Sequence, residues 1–470
     1  MRKTQVLLAG SLLTISLAAC SGGGDGGQTP ASSAPATKGS APSPSSSSAV
    51  TEPAIASPAS DGESKTIVFQ TYQYNEEFAA AIKNYEALHP NITIKLNSLA
   101  KGEEDLNGLG LEKFRQTTST QLLAGQGPDL IDVDWLPTDR YAGKNILTDL
   151  GAAMASDPSF HKEDYFDNII EPVGSEGEIT SIPMSFFMQT LVGDQEAIEK
   201  SGVSFDDKSW NWDEFAEAGR QLVAKGGHED AYVFKSPINL LYQMVQANLP
   251  ALVDAERKEA HFDSDLFIGM LNGIRKMEED KVVTFDISKL RDGDVFFQDL
   301  TIDSPEGYLT RMRDIQYPKK KLYYAPKADG QDPGGYFTTY DKLAINAHSK
   351  VQAEAWDFLK YLMSDPALTP VFGLPINRTV YEKQVDQLLE AGQYTVEEDG
   401  SGRGGTFPVT KADLQPLDDM LSGAAHPLDS LPGTIEQALF EETPAFFSGQ
   451  KTAETVAKLI QNKATTYLNE

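Results

Sequence analysis

The sequence has almost no cysteine, since Cys20 is the only one among 470 residues. The chain after Cys20 therefore has no pair of thiols, which excludes disulfides and clusters of thiolate metal ligands there. Histidine is also scarce. The six histidines form no His-x-x-x-His pair, and no Gly-x-Ser-x-Gly motif occurs. These absences remove the usual sequence signatures of zinc peptidases and of serine hydrolases.

Basic residues are few relative to acidic ones. The chain has 40 Lys and Arg against 69 Asp and Glu, a formal net charge of −29. Binding to a nucleic-acid backbone requires clustered Lys and Arg, so we expect no nucleic-acid partner. Long apolar runs are absent beyond the N-terminus, which argues against a membrane span in the rest of the chain.

The N-terminus has the order of a secretory signal. A basic start at Arg2 and Lys3 precedes an apolar run from Val6 to Ala19, which is too short to cross a bilayer comfortably. The segment Leu17-Ala18-Ala19-Cys20 resembles the lipobox of bacterial lipoproteins, in which the signal is cut before the cysteine and the thiol carries lipid. The resemblance implies a signal peptide over 1–19 and lipidation of Cys20. The alternative is an ordinary signal peptide with an incidental cysteine.

A low-complexity segment follows, and we predict a disordered linker over residues 20–64. Of the 44 residues from Ser21 to Ser64, 36 are Ser, Ala, Gly, Pro or Thr, so the segment cannot bury enough apolar surface to fold. As a flexible coil it would have a root-mean-square span of about 36 Å. Such a tether suits a lipid anchor.

From Lys65 onward the pattern predicts an α/β fold. "KTIVFQTY" predicts a strand, and Phe78, Ile82, Tyr85 and Leu88 form one helical stripe that Asn75 can cap. "ITIKLNSL" predicts a second strand, a helical pattern runs to about Gly125, and "GPDLIDVDW" predicts a third strand. This order indicates a doubly wound parallel sheet, whose ligands bind beyond the carboxyl ends of the strands.

Stretches along this body resemble, in order, one known family. They include "FQTYQYNEEFAAAIKNYEALHPNITI", "LLAGQGPDLIDVD", "GLPINR" and "GQKTAETVAKLIQNKATTYLNE". The resemblance is to the extracellular solute-binding proteins of ABC sugar importers, in the branch of the maltose- and oligosaccharide-binding proteins. It implies a two-lobed, type II periplasmic-binding-protein-like fold in which each lobe is a doubly wound sheet with helices on both faces.

The family architecture implies that each lobe is discontinuous in sequence. We place the hinge crossings near Ile182-Pro183, Thr284 and Leu343 to Asn346. The N-lobe would then comprise residues 65–182 and 285–343, and the C-lobe residues 183–284 and 344–470.

Candidate ligand-binding residues follow from the chemistry of sugars, whose C–H faces pack on aromatic rings and whose hydroxyls need hydrogen-bonding groups. The candidates lie at predicted strand ends, after the first crossing, in the loop before the third, and after the Pro375-Ile376-Asn377 turn. They are Tyr72, Tyr74, Asp134, Trp135, Phe186, Phe187, Tyr336, Phe337, Tyr340 and Arg378. Each ring could instead belong to the core, and one of the two adjacent phenylalanines should be buried because neighbouring strand residues face opposite ways.

The sequence thus predicts a monomeric, lipid-anchored protein at the extracellular face of a bacterial membrane, with no enzymatic activity and no cofactor or metal. It would bind a carbohydrate, an oligosaccharide in particular, between two lobes and deliver it to ABC permease subunits. Two alternatives stay open. One is a secreted, lipid-anchored glycoside hydrolase, because two suitably placed carboxylates are invisible in a sequence. The other is a binding protein of the same fold for a non-sugar solute.

The anchor can be tested directly. Cys20→Ala should release the protein from cells in soluble form with its ligand binding intact, because the thiol is the predicted site of lipid attachment. Fractionation of cells followed by immunoblotting measures the release. Retention of the variant in the membrane fraction would show instead that the apolar N-terminus is an uncleaved anchor.

Overall fold

The computed structural model describes residues 55, 62–100, 108–138, 141, 144–174, 177–255, 257–364, 372–397, 404–428 and 430–469. The predicted signal peptide, Cys20 and nearly all of the predicted linker lie outside the described residues. The described part is an α/β structure with one large sheet, which confirms the predicted class. Among its helices, none combines the length and the apolar character needed to span a bilayer.

The strands are β1 Lys65–Thr71, β2 Ile92–Ser98, β3 Leu130–Asp132, β4 Ile182–Asp194, β5 Asp230–Val233, β6 Val253–Asp254, β7 Glu259–Ala260, β8 Val283–Thr284, β9 Val295–Ile302, β10 Lys320–Tyr324, β11 Gly335–Ile345, β12 Leu374–Pro375, β13 Gln393–Val396, β14 Gly405–Pro408 and β15 Ala424–Pro427. The helices are α1 Glu76–Leu88, α2 Gly108–Leu123, α3 Leu150–Ser156, α4 Asp167–Val173, α5 Gln195–Ser201, α6 Trp212–Lys225, α7 Pro237–Ala247, α8 Leu249–Leu252, α9 Asp265–Glu279, α10 Lys289–Asp292, α11 Pro305–Asp314, α12 Gln352–Ser364, α13 Arg378–Ala391, α14 Lys411–Ser422, α15 Gly433–Glu442, α16 Pro444–Phe447 and α17 Ala453–Asn469.

The first five elements agree with the prediction. The order is β1-α1-β2-α2-β3, and β1 pairs in parallel with both β2 and β3. Asn75 caps α1, since its side chain accepts a hydrogen bond from the Phe78 amide at 3.0 Å. The prediction for Leu88 is wrong, because this last residue of the helix is exposed and does not join the buried stripe.

Strand β4 is the longest strand and lies in the middle of the sheet, whose order is β2-β1-β3-β11-β4-β9-β5-β8. Along one edge it pairs with β11 and then with β10. Along the other edge it pairs with β12 and then with β9. Twelve of its thirteen residues are buried, as expected of a strand covered on both faces. β4 therefore connects the two halves of the sheet.

The division of the chain into two lobes stays a prediction, and two of its segments make the following contacts. Strand β9, assigned to the N-lobe, pairs in parallel with β5, because Phe296 and Phe297 pack into the core around β5. Helix α12, assigned to the C-lobe, packs beside β1 and α1. There Lys65 Nζ lies 2.6 Å from Glu354 Oε1, and the Tyr85 and Phe358 ring centroids are 5.0 Å apart.

Two helical glycines make a matched test of the packing of α6 on β5. A Cβ at Gly219 would lie 2.8 Å from Val282 Cγ1 and 3.1 Å from Ala231 Cβ, whereas a Cβ at Gly269 in α9 would meet nothing within 4 Å. Replacing either glycine by alanine raises helix propensity, but only alanine at position 219 overpacks the core. Gly219→Ala should lower the free energy of unfolding by about 1 to 3 kcal/mol. Gly269→Ala should raise it by roughly 0.5 to 1 kcal/mol.

Chemical denaturation of both variants measures this difference. Equal effects of the two substitutions would contradict the close approach of α6 to β5.

Candidate functional site

A cleft of about 370 Å³ opens at the carboxyl ends of β1 and β3, where the middle of β11 also meets them. This is the edge of the sheet at which doubly wound folds bind ligands. Its lining is aromatic and acidic. The lining residues are Thr71, Gln73, Tyr74, Asn75, Glu76, Glu77, Phe78, Asp132, Asp134, Trp135, Tyr340 and Asp341.

The loop between β1 and α1 supplies one wall of the cleft. Tyr74, in this loop, is 60% exposed and presents its ring to solvent. Asn75 then caps α1, so that Glu76 and Glu77 fall in the first turn of the helix. Carboxylates are favourable at that end of a helix because of its dipole.

The loop after β3 supplies the opposite wall. Trp135 makes an edge contact with Tyr72, with ring centroids 6.1 Å apart, and its carbonyl oxygen accepts a hydrogen bond from Arg115 Nε at 2.8 Å. The Asp134 carboxylate accepts hydrogen bonds from two backbone amides of β11. Asp341 N–H donates to Oδ2 at 2.7 Å, and Lys342 N–H donates to Oδ1 at 3.3 Å.

Three aspartates share this part of the cleft, and their proximity changes their ionisation. Burial raises the pKa of Asp132 well above its usual range, and the charges of Asp134 and Asp341 raise it further. Burial also raises the pKa of Asp341 to about 7, with the charges of Asp134 and Glu77 acting in the same direction. Near neutral pH the cluster therefore retains protons that isolated aspartates would have lost.

A group of three aromatic rings adjoins the acidic part. Tyr340, at 40% exposed, lies 6.4 Å from Phe187 and 5.6 Å from Phe372 between ring centroids, and Phe187 and Phe372 are 4.8 Å apart. Phe372 is itself 59% exposed. These rings extend an apolar surface from the cleft along one face of β4 and β11.

Four of the ten predicted ligand residues line the cleft, namely Tyr74, Asp134, Trp135 and Tyr340. Phe187 lies beside it, through its contacts with Tyr340 and Phe372.

The other five predicted residues are placed in packing roles. Tyr72 packs on Phe114 in the core beneath α2, with ring centroids 5.3 Å apart. Phe186 and Phe337 are fully buried. Phe186 points to the opposite face from Phe187 because adjacent strand residues alternate, and it packs on Phe166 at 5.2 Å.

The last two residues are also accounted for by local contacts. The Tyr336 hydroxyl is buried, donates to Gln331 Oε1 at 2.6 Å and accepts from the Ala328 amide at 3.0 Å. Arg378 begins α13, and its guanidinium stacks 4.5 Å above the Phe166 ring, on the side of β4 that Phe186 faces. The structure therefore does not bring these five side chains into the cleft.

Sequence reasoning missed several lining residues. The sequence pattern predicts a buried strand at Asp132 and the start of a helix at Glu77. Neither pattern indicates a ligand-binding residue. Asp341 has a backbone φ of +52°, which no local pattern in "TTYDKLAI" predicts. Within the described part of the chain, no group of three or more His, Cys, Asp or Glu side chains is arranged to hold a metal ion.

The comparisons with known proteins agree with this geometry. The family model for bacterial extracellular solute-binding proteins matches residues 71–369, more than half of the chain. The chain belongs to this family. The predicted family is confirmed, and it is a family of binding proteins.

One curated relative is distantly similar to the chain. A lactose-binding protein of Rhizobium radiobacter is 23% identical over 150 residues, which cover 32% of this chain and 33% of that protein. The chain thus spans about a third of the length of this curated relative.

Solved structures of solute-binding proteins show the same fold. A family 1 protein from Alicyclobacillus acidocaldarius has a TM-score of 0.56 at 17% identity, covering 87% of this chain and 99% of that one. The cyclic alpha-maltosyl-1,6-maltose binding protein of Arthrobacter globiformis has a TM-score of 0.51 at 14% identity, covering 86% and 99%. The predicted type II binding-protein fold is confirmed.

The raised pKa of Asp341 predicts a pH-dependent stability. Its folded-state pKa of about 7 exceeds the ordinary 3.8, so the folded state holds the proton more tightly than the unfolded state does. The resulting stabilisation is complete below about pH 4 and is lost as the pH rises through 7. Asp341→Asn mimics the protonated form. It should therefore melt above the wild type at pH 8, by at most about 4 kcal/mol in free energy, and close to it at pH 4.

Thermal unfolding of the ligand-free protein at both pH values measures the effect. Asp386→Asn, at an exposed position of α13, serves as the control and should show no such pH-dependent gain. A gain of the same size at pH 4 and pH 8 would contradict a titrating Asp341.

Proposed function

We propose that this protein is the lipid-anchored solute-binding component of an ABC sugar importer. It captures a carbohydrate, an oligosaccharide in particular, and presents it to permease subunits at the extracellular face of a bacterial membrane. It acts as a monomer and leaves the sugar chemically unaltered.

The observation that supports this proposal best is the composition of the cleft. Tyr74, Trp135 and Tyr340 offer aromatic surface for the C–H faces of sugar rings, and Phe187 and Phe372 extend that surface. Carboxylates and the side-chain amides of Gln73 and Asn75 also line the cleft and can pair with hydroxyl groups. An extended aromatic surface suits a ligand of several sugar units better than a single one.

The related proteins support the carbohydrate class. One is described as binding lactose, and one of similar fold as binding cyclic alpha-maltosyl-1,6-maltose. The two sugars differ in linkage and size, so they support a class of ligand rather than one compound.

Anchoring and delivery rest on the N-terminal sequence. The Leu17-Ala18-Ala19-Cys20 segment and the tether after it would hold the folded body at the outer membrane face, within reach of a permease. Closure of the two halves of the sheet on the sugar would bury it before it is handed over.

The acidic lining of the cleft favours a sugar that carries an amino group as a second kind of ligand. Five of the twelve lining residues are acidic and none of the twelve is basic. Such a site repels carboxylate or phosphate groups and attracts an amino group. A sugar that carries an amino group is therefore the second candidate, and uronic acids should not bind.

A thermal-shift screen tests the ligand class. Lactose, maltose, cyclic alpha-maltosyl-1,6-maltose, glucosamine oligomers and oligogalacturonate are the probes, and a specific ligand at 100 times its Kd should stabilise the fold by about 2.7 kcal/mol. We expect a neutral or amino oligosaccharide to raise Tm and oligogalacturonate to leave it unchanged. A response to peptides or anions alone would leave the fold intact and refute the sugar assignment.

Two aromatic residues of equal exposure test the location of the site. Tyr340 and Phe440 are both 40% exposed, but only Tyr340 lines the cleft. Tyr340→Ala should weaken binding of the responding sugar by about 1 to 3 kcal/mol, as expected for removal of a large ring from a buried contact. Phe440→Ala should leave the Kd unchanged. Isothermal titration calorimetry measures both, and equal losses would place the site elsewhere.

Chromatography of the sugar after prolonged incubation separates a binding protein from a glycoside hydrolase. Intact sugar is expected, whereas cleaved sugar would favour the hydrolase.

A further inference from the structure

The backbone of β11 changes its hydrogen-bonding partners next to the cleft. Tyr340 lies opposite Ser185 of β4, and Lys342 lies opposite Pro183, which has no N–H to donate. The Lys342 carbonyl oxygen accepts a hydrogen bond from the Val133 amide at 2.8 Å, and the Lys342 amide donates to Asp134, so both groups face β3 and the loop after it rather than β4. Leu343 pairs with both β3 and β4, and Ala344 and Ile345 pair with β3.

Asp341 lies where β11 changes its hydrogen-bonding partners, and its unusual backbone conformation forms a kink in the strand. Its φ of +52° is in the left-handed region, which costs free energy for a residue with a Cβ. Such a conformation persists when surrounding contacts hold it in place. Here the Asp341 and Lys342 amides both donate to Asp134, at 2.7 and 3.3 Å.

The Asp134 carboxylate is suited to holding this kink. Each of its two oxygens accepts one backbone amide of β11, and its own amide donates to Asp132 Oδ1 at 3.1 Å, which fixes the loop after β3. Hydrogen bonds to a carboxylate are stronger than those between neutral groups.

The kink in turn determines where an aromatic ring of the cleft lies. Tyr340 precedes Asp341 directly, and its ring stands at right angles to the Phe187 ring, with an interplanar angle of 87°. A backbone rotation at Asp341 would move the Tyr340 ring relative to Phe187 and Phe372.

We propose that Asp134 is a positioning residue: it holds the β11 backbone at Asp341 and Lys342, and thereby places the Tyr340 ring in the cleft. This role differs from the direct contact with a sugar hydroxyl that the sequence predicted for Asp134. The effect on sugar affinity rests on the proposed function, whereas the effect on the backbone does not.

Amide hydrogen exchange of the ligand-free protein tests the backbone role. In Asp134→Ala, the amides of Asp341 and Lys342 should exchange about tenfold faster or more, because each loses a charged acceptor. The amides of Ala344 and Ile345, in the part of β11 that pairs with β3, should exchange as before. Asp134→Asn keeps one carbonyl acceptor and should give an intermediate rate, and it replaces the alanine variant if that variant fails to fold.

A double-mutant cycle tests the effect on binding, with lactose and cyclic alpha-maltosyl-1,6-maltose as probes. Glycine adopts a positive φ without steric cost, so Asp341→Gly should keep the kink without help from Asp134. Asp134→Ala alone should weaken binding at least fivefold, and in the Asp341→Gly background it should weaken binding less than twofold. A direct contact between Asp134 and the sugar would give the same loss in both backgrounds.

Two outcomes would overturn the proposal. One is unchanged exchange of the Asp341 and Lys342 amides in both Asp134 variants, and the other is an equal loss of affinity in the two backgrounds. Failure of both probes to bind the wild-type protein would count against those sugars as ligands. The exchange rates alone would then decide whether Asp134 holds the strand.

Discussion

The structure depends on the hydrogen bonding of β4, the thirteen-residue strand from Ile182 to Asp194. It pairs along both edges with four other strands, so the two halves of the sheet share one continuous backbone. Almost all its side chains are buried, on two faces with different surroundings. Met184 and Phe186 lie in one core, whereas Phe187 faces the aromatic group beside the cleft. The register of this strand therefore determines which of its side chains reach the aromatic group beside the cleft.

Local patterns predicted the first five elements of the fold, from β1 to β3. The β-branched and aromatic residues of "KTIVFQTY" and the stripe of Phe78, Ile82 and Tyr85 reflect the preferences of a single strand and a single helix. They can therefore be recognised without the rest of the chain. The family motifs then supplied the two-lobed architecture. Strand ends also pointed to Trp135 and Asp134, because the carboxyl edge of a parallel sheet is defined by chain direction.

What could not be predicted depends on pairings between distant residues. The side on which β9 and α12 pack is decided by contacts with β5 and α1 that lie far away in sequence. The same holds for the rings of Tyr336 and Phe337, which were candidates because of composition and are buried by neighbours from other elements. The positive φ of Asp341 goes with hydrogen bonds to a carboxylate from a loop some 200 residues earlier.

The contact between β1 and α12 also has a consequence for when the protein can fold. The Lys65–Glu354 ion pair joins residues 289 positions apart, and Tyr85 donates a hydrogen bond to Asp357 across a similar separation. At synthesis rates of roughly 5 to 20 residues per second, α12 follows β1 by roughly 15 to 60 s. During that interval the apolar faces of β1 and α1 lack α12 as a packing partner. The core that these three elements share therefore cannot close.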